Sequence, residues 1–125
     1  MTLTQVIEKL VEKIENTAKV TVKTAWISPN DTIPIITLIQ SGGGVEVLAS
    51  SNHVLSVYEF QLDIWARSAK ERDELYEKIV EALLKNWIVN YKAYGWWSLS
   101  FFRIFDVEEE GVFRKTMLVV VKEVT

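Results

Sequence analysis

The side chains that most often carry catalysis are scarce in this sequence. His53 is the only histidine and there is no cysteine, so a two-histidine metal site and any thiolate site are excluded. A histidine-activated serine would have to combine His53 with Ser50 or Ser51, and a loop rich in Gly, Ser and Asn does not hold a catalytic base in one orientation. We therefore interpret His53 as a solvated loop residue.

Two other clusters have simpler structural interpretations. The three adjacent glutamates at 108–110 would splay in different directions, which favours a polar hairpin turn over a cation site. Gly42, Gly43 and Gly44 are accompanied by neither the Lys-Ser/Thr pair nor the helix start of a phosphate-binding loop, so they predict a flexible turn. From these residues we predict no catalytic, cofactor or metal site.

The segment 91–105 concentrates aromatic residues. It contains about half of the aromatic side chains of the chain, namely Tyr91, Tyr94, Trp96, Trp97, Phe101, Phe102 and Phe105. With Lys92 and Arg103 interleaved, it has the composition of a base-stacking platform. A net charge of −3 argues against this use, because a nucleic-acid groove needs a strong positive field. We expect no nucleic-acid partner, and we interpret the phenylalanines and Ile104 as core or near-core strand residues.

Trp96 and Trp97 need a separate interpretation. Neighbours on an extended chain point to opposite faces, so both rings cannot easily enter one core. Tryptophan and tyrosine are common in protein interfaces, and we keep both a partner contact and internal packing as hypotheses for this pair. Our candidate contact residues are Trp96, Trp97, Tyr91, Tyr94, Gly42, Gly43, Gly44 and His53.

Periodicity predicts the elements that position these residues. Thr2 and Gln5 form a capping box that opens an amphipathic helix at about 3–16. Strands are predicted at 19–23 and 33–39. The glycines end the second of these strands, and an optional short strand follows at 45–49.

The clearest pattern lies in the middle of the chain. One face of a strand at 58–66 is apolar, and its residues are Tyr58, Phe60, Leu62, Ile64 and Ala66. Ser68 and Glu71 form a second capping box, which opens a helix with its charged residues, Arg72 included, facing water. The buried stripe of that helix consists of Leu75, Tyr76, Ile79, Ala82 and Leu83. After a link, strands at 99–107 and 112–124 form a hairpin.

Length and composition agree with this order of elements. With 125 residues, 49% of them hydrophobic, the chain predicts a single α+β domain spanning 1–125. We expect a mixed or antiparallel sheet of four to five strands with two helices packed on one face, in the order α-β-β-(β)-β-α-β-β. No run of about 18 apolar residues is present, so we expect a cytoplasmic protein without a membrane contact.

One stretch of the sequence resembles a known family. The segment 57–66, VYEFQLDIWA, is followed by RSAKE at 67–71 and by the helix at 75–84. This pattern resembles the tail-terminator (tail-completion, head-tail joining) proteins of long-tailed phages and proviruses. The wider layout is similar as well, since those proteins begin with an amphipathic helix, place strands between two helices and end in a hairpin.

The resemblance implies a structural role in a virion tail. Proteins of this family form a six-membered ring that caps the tail tube and joins it to the head. The implied partners are therefore other copies of the chain, the tail tube protein and a head-completion protein. Such a ring requires a heterologous interface that closes on itself.

Two other classes of function are weighed against this one. The first is a small α+β ligand- or peptide-binding or regulatory module, which would use the face of the sheet that the helices leave uncovered. The second is an enzyme, which we do not favour because no group of residues meets the geometric requirements of an active site.

The absence of metal and nucleophilic chemistry can be tested at His53. We expect His53→Ala to leave the fold and the biological activity unchanged, because neither depends on a solvated loop histidine. Circular dichroism and titration with zinc and copper check this expectation. Stoichiometric metal binding that is abolished by the substitution would contradict it.

Overall fold

The computed structural model describes residues 1–47, 53–85 and 87–124. These residues form three helices and a five-stranded sheet. In chain order the elements are α1 (Leu3–Ala18), β1 (Val22–Lys23), β2 (Ile35–Val47), β3 (Val54–Ala66), α2 (Ala69–Leu83), α3 (Trp87–Tyr94), β4 (Trp96–Glu109) and β5 (Val112–Val124). The predicted α+β class is confirmed, and α3 is a helix where the sequence predicted a link.

The sheet is mixed, which is one of the two predicted arrangements. Its strand order is β1-β2-β3-β5-β4, with β1 parallel to β2 and every other neighbouring pair antiparallel. The predicted acidic turn joins β4 to β5, where Glu110 and Gly111 both have positive φ angles, of 51° and 78°. Two successive positive φ values are typical of the type I′ turn, whose twist matches that of long paired strands.

The prediction that the three glycines end the second strand is wrong. The strand continues through them, and Gly43 pairs with Tyr58 and Gly44 with Val57, after a bulge that follows Gln40. A Cβ atom on Gly43 would lie 2.6 Å from the carbonyl oxygen of Val57, so glycine permits this close pairing. Residues 45–47 of the optional strand at 45–49 belong to β2, whereas residues 48–52, which include Ser50 and Ser51, lie outside the described residues.

The core lies between one face of the sheet and the first two helices. Its fully buried side chains include Val6, Leu10 and Ile14 from α1, Ile79 and Leu83 from α2, Phe60, Leu62 and Ile64 from β3, and Met117, Val119 and Val121 from β5. Tyr58 packs at the margin of the same cluster. The predicted core face of β3 and the predicted stripe of α2 therefore belong to one cluster.

Both predicted helix starts are present. Thr2 and Gln5 make the complete capping box, with each side chain bonded to the backbone N–H of the other. The second box differs in one detail: Ser68 Oγ accepts from the Glu71 N–H at 3.1 Å, but the Glu71 carboxylate accepts from the N–H of Arg67 at 3.0 Å. Each arrangement satisfies backbone donors that the first helical turn would leave without a partner.

Helix α3 is fastened to the end of α2 by a buried side chain. Asn90 is 1% exposed, and its Nδ2 donates to the carbonyl oxygen of Leu83 at 3.0 Å. That carbonyl belongs to the last turn of α2, where helix oxygens have no partner within the helix. The bond is tertiary, which explains why local periodicity did not predict this helix.

An ion-pair cluster joins α2 to the β4–β5 hairpin and corrects the prediction that Arg72 faces water. Arg72 is 9% exposed, and its guanidinium lies 3.0 Å from Asp73 and 3.4 Å from Asp106. Lys115 Nζ lies 2.9 Å from Asp106 and 4.8 Å from the centre of the Tyr76 ring. The hydrogen bond from Arg72, with help from Lys115, holds the pKa of Asp73 below its usual value.

The burial of Leu62 predicts a large loss of stability on truncation. Leu62 is 0% exposed between β3 and the helices, so Leu62→Ala should lower the free energy of unfolding by about 2–5 kcal/mol. Urea titration followed by circular dichroism measures the change. Val45→Ala, at a position 70% exposed, is the control and should change stability by less than about 0.5 kcal/mol. A loss below about 1 kcal/mol for Leu62→Ala would contradict the assigned face.

The lowered pKa of Asp73 predicts a pH-dependent contribution to stability. A carboxyl group whose folded pKa lies below its unfolded pKa stabilises the fold above the unfolded value and loses that effect as the pH falls through the folded value. Asp73→Asn should therefore be less stable than wild type at pH 7, and the difference should shrink at about pH 3. Urea titrations at both pH values measure it, and Glu77→Gln on the same helix controls for the change in charge. A difference that is constant with pH would contradict the prediction.

Candidate interaction surface

The helices leave the second face of the sheet uncovered. Alternation along the strands places on this face the side chains of Val57, Glu59, Ser98, Ser100, Phe102, Leu118, Val120 and Lys122. The surface is concave, and two adjoining clefts of about 420 and 510 Å³ share Glu59, Arg103 and Leu118. Apolar and polar groups are mixed along it, and this suits contact with a protein chain.

Strand β4 lies at the edge of the sheet and exposes large apolar side chains. Trp97 is 61% exposed, Phe102 51%, Ile104 41% and Phe105 55%. The prediction that Phe102, Ile104 and Phe105 are core or near-core residues is therefore wrong, whereas Phe101 packs against the core. The pairing of β4 with β5 shifts register twice, between Trp96 and Ser98 and between Phe102 and Phe105. Bulges of this kind turn side chains of an edge strand away from their regular faces.

The two adjacent tryptophans separate at the first of these bulges. Trp96 is 2% exposed and its ring centre lies 5.0 Å from that of Tyr94. The Tyr94 ring also lies under Lys9 and Lys13 of α1, at 5.8 and 5.3 Å from the two ammonium nitrogens. Trp96 and Tyr94 thus fix the start of β4 against α1, so within one copy of the chain Trp96 follows the second of its two hypotheses, internal packing. Of the four aromatic candidates, Trp97 and Tyr91, which is 51% exposed, remain at the surface.

The remaining candidate residues lie at the opposite side of the sheet. Gly42, Gly43 and Gly44 belong to β2, and exposed His53 precedes β3. Strands β3 and β5 separate β2 from β4, so the two groups are about 14 Å apart, or three interstrand spacings of about 4.8 Å. The structure therefore places the predicted contact residues at two edges and does not bring them into one site.

At its other end, the face that the helices leave uncovered carries a buried polar group. Asp63 is 0% exposed, and its carboxylate lies 3.3 Å from Arg114 Nε. The guanidinium of Arg114 stacks over the rings of Trp65 and Trp26, at 5.0 and 5.7 Å from their centres. Trp65 Nε1 donates in turn to Thr37 Oγ1 at 3.0 Å. This network explains why a tryptophan interrupts the polar side of β3.

The same network borders a cleft of about 430 Å³. Its walls combine Trp65 and Arg114 with apolar residues of the neighbouring loop and hairpin, namely Ile27, Ile33, Val107 and Val112. The volume is within the range of small-ligand sites. The carboxylates of Glu109 and Glu110 also line the cleft, and Arg114 is already paired with Asp63, so the walls carry no excess of positive charge.

Neither a metal centre nor a membrane helix is found in the described part of the chain. Across residues 1–47, 53–85 and 87–124, no three His, Cys, Asp or Glu side chains are grouped so that they could hold a metal ion. No helix formed by those residues is both long enough and apolar enough to cross a membrane.

Comparison with known proteins shows the fold. No family model matches the chain, and no curated protein matches it in sequence. Among solved structures, the chain is similar to one from a structure described as "Virion of native gene transfer agent (GTA) particle". The TM-score is 0.58 at 11% sequence identity, and the match covers 95% of this chain and 92% of the other. The arrangement of helices and strands is thus shared with this virion chain over almost the whole length of both.

Proposed function

We propose that this protein is a structural component of a phage-like particle, and more specifically a tail terminator. In this proposal it forms a ring, six-membered as in the family it resembles, that caps the tail tube and joins it to the head. Its partners are other copies of itself, the tail tube protein and a head-completion protein. It is present in the cytoplasm during assembly and in the virion tail afterwards, and it has no enzymatic activity.

The observation that carries the proposal is the end-to-end match in fold with a chain of a virion particle. A match over 95% of one chain and 92% of the other means that the shared unit is the whole arrangement of elements and not a common fragment. The sequence resemblance of residues 57–84 to tail terminators supports the same role independently of the fold, because it rests on the residue pattern alone.

The exposed apolar residues of β4 give the proposal a physical basis. Four large apolar side chains, each more than 40% exposed, lie on a single strand at the edge of the sheet. Contiguous exposed apolar surface of this kind marks protein–protein contact sites. A ring subunit must contact neighbours as well as the tube, so it needs such a surface in its isolated form.

A second candidate function is a small ligand- or peptide-binding module. The cleft beside Trp65 and Arg114 favours it, because a volume of about 430 Å³ suffices for a small ligand. Val112→Trp, which would fill the cleft and leave the Asp63–Arg114 pair intact, would then abolish ligand binding, whereas a tail terminator would retain its capping activity in this variant.

Tube capping by purified protein is the direct test of the terminator role. Tubes of the cognate tail protein, imaged by electron microscopy, should stop growing at a limited length when the wild-type protein is added. Trp97→Ser combined with Phe102→Ser should weaken capping by about 30-fold or more, since loss of an interface tryptophan typically costs about 2 kcal/mol or more. Circular dichroism should show that this variant remains folded, because both side chains are more than half exposed.

Trp26→Ser is the matched control for that experiment. Trp26 is 46% exposed but lies beside Trp65, at the other end of the uncovered face, so its loss should leave capping intact. Tubes that grow without limit in the presence of folded wild-type protein would remove the terminator proposal.

A further inference from the structure

We propose that the two free edges of the sheet bind each other in neighbouring copies of the chain. In this contact, the outer edge of β4 in one copy pairs antiparallel with the outer edge of β2 in the next. The inference builds on the proposed ring, because it assigns the surfaces through which the ring closes.

The first free edge is that of β4. This strand is 14 residues long and, within the described part of the chain, pairs only with β5. Unpaired edges that are long and apolar are templates for pairing with another chain, and proteins that do not use them cover or charge them. Between the two bulges, residues 98–102 pair with β5 in uninterrupted register, so their outer backbone groups are arranged regularly.

The second free edge is the distal part of β2. The short strand β1 pairs with β2 only at Ile36 and Thr37, so residues 38–47 have no outer strand among the described residues. Val45 and Val47 on this segment are 70% and 77% exposed. These values exceed those of the apolar side chains on β4, although valine has no polar group to present to water.

The two edges are compatible in direction and in height. The pairs β2–β3, β3–β5 and β5–β4 are each antiparallel, so β2 and β4 run in opposite directions. If the next copy is related to the first by a rotation about an axis parallel to the strands, its strands keep their direction. Its β2 then lies antiparallel beside β4 of the first copy. Gly44 is level with Val57, then with Lys122 and then with Ser98, so the free segments lie at the same height in the sheet.

The side chains of the two edges are also complementary. Trp97 is bulky and is level with Gly44, where a Cβ atom would meet nothing within 4 Å, so there is space beside the glycine for the ring. Aromatic rings placed over glycines of a neighbouring strand compensate for the missing side chain. This fit, together with the matching direction and height of the two edges, favours a second copy over an unrelated partner as the occupant of each edge.

A contact between two different surfaces has a consequence for assembly. Each copy uses one edge to bind its neighbour on one side and the other edge to bind its neighbour on the other side. Such heterologous contacts do not stop at a dimer, and they generate a ring when the rotation closes. A contact of β4 with β4 would instead stop at two copies.

Complementation between two edge variants tests the inference. The β4-edge variant carries Trp97→Lys and Phe102→Lys, and the β2-edge variant carries Val45→Lys and Val47→Lys. Analytical ultracentrifugation should show that wild type associates and that self-association of each variant is weakened by about 30-fold or more. An equimolar mixture should form a one-to-one dimer, because each variant supplies the intact edge that the other lacks. Glu77→Lys on α2 changes the net charge by the same two units and should associate like wild type.

Engineered cysteines give a second readout that does not require a disrupted contact. The chain has no cysteine of its own, and Gly44 and Ser98 are too far apart across the sheet to be bridged within one copy. The double variant Gly44→Cys with Ser98→Cys should form a ladder of disulfide-linked copies on mild oxidation. Each single variant should form no ladder beyond a dimer.

Three results would overturn the inference. They are a wild-type chain that stays monomeric and forms no ladder, a β2-edge variant that associates like wild type, and a mixture that forms no dimer. Tube capping separates this inference from the proposed function. If the edge variants complement each other but the wild-type protein does not cap tubes, the terminator role is removed and the edge contact remains. If both edge variants still cap tubes, the edge contact is removed and the terminator role remains.

Discussion

The pairing of β3 with β5 is the interaction on which the rest of the structure depends. Its register sets Leu62 beside Met117 and Phe60 beside Val119, so one continuous apolar surface lies beneath α1 and α2. Because side chains alternate along a strand, the same register sends Asp63 to the opposite face. One set of backbone hydrogen bonds therefore determines both where the core lies and which face stays uncovered. It also leaves β2 and β4 on the two outer sides of this central pair.

The features that could be predicted from the sequence depend on residues close together in the chain. The features that could not be predicted depend on contacts between residues far apart in the chain. The capping residues Thr2 and Ser68 and the two-residue period of β3 carry their own signals, and these predictions are confirmed. Nothing near Arg72 indicates that Asp106 will lie 3.4 Å away, so its burial was not predictable. The glycines of β2 have the composition of a turn, and only their pairing partner on β3 makes them a strand.

The candidate site was predictable in its residues but not in its arrangement. Aromatic density identified the segment around Trp97, and the glycine run identified the distal part of β2. The pattern could not separate Trp96 from Trp97, because the bulge between them depends on the register with β5. Nor could it place the two groups at opposite edges, since that follows from strand order. A chain with different surfaces on its two sides can act as a repeating unit.

The close approach at Gly43 bears on how distant relatives of this protein can be aligned. A side chain there would collide with the backbone of Val57, whereas the neighbouring Gly44 has free space around its α-carbon. Folding therefore requires a glycine at Gly43 and places no such requirement on Gly44. Apolar core positions exchange readily among side chains of similar size, so their pattern is a weak guide to alignment with a chain that is 11% identical. Gly43, whose α-carbon has no room for a side chain beside β3, therefore gives alignments of this fold a reference point in β2 that folding alone imposes.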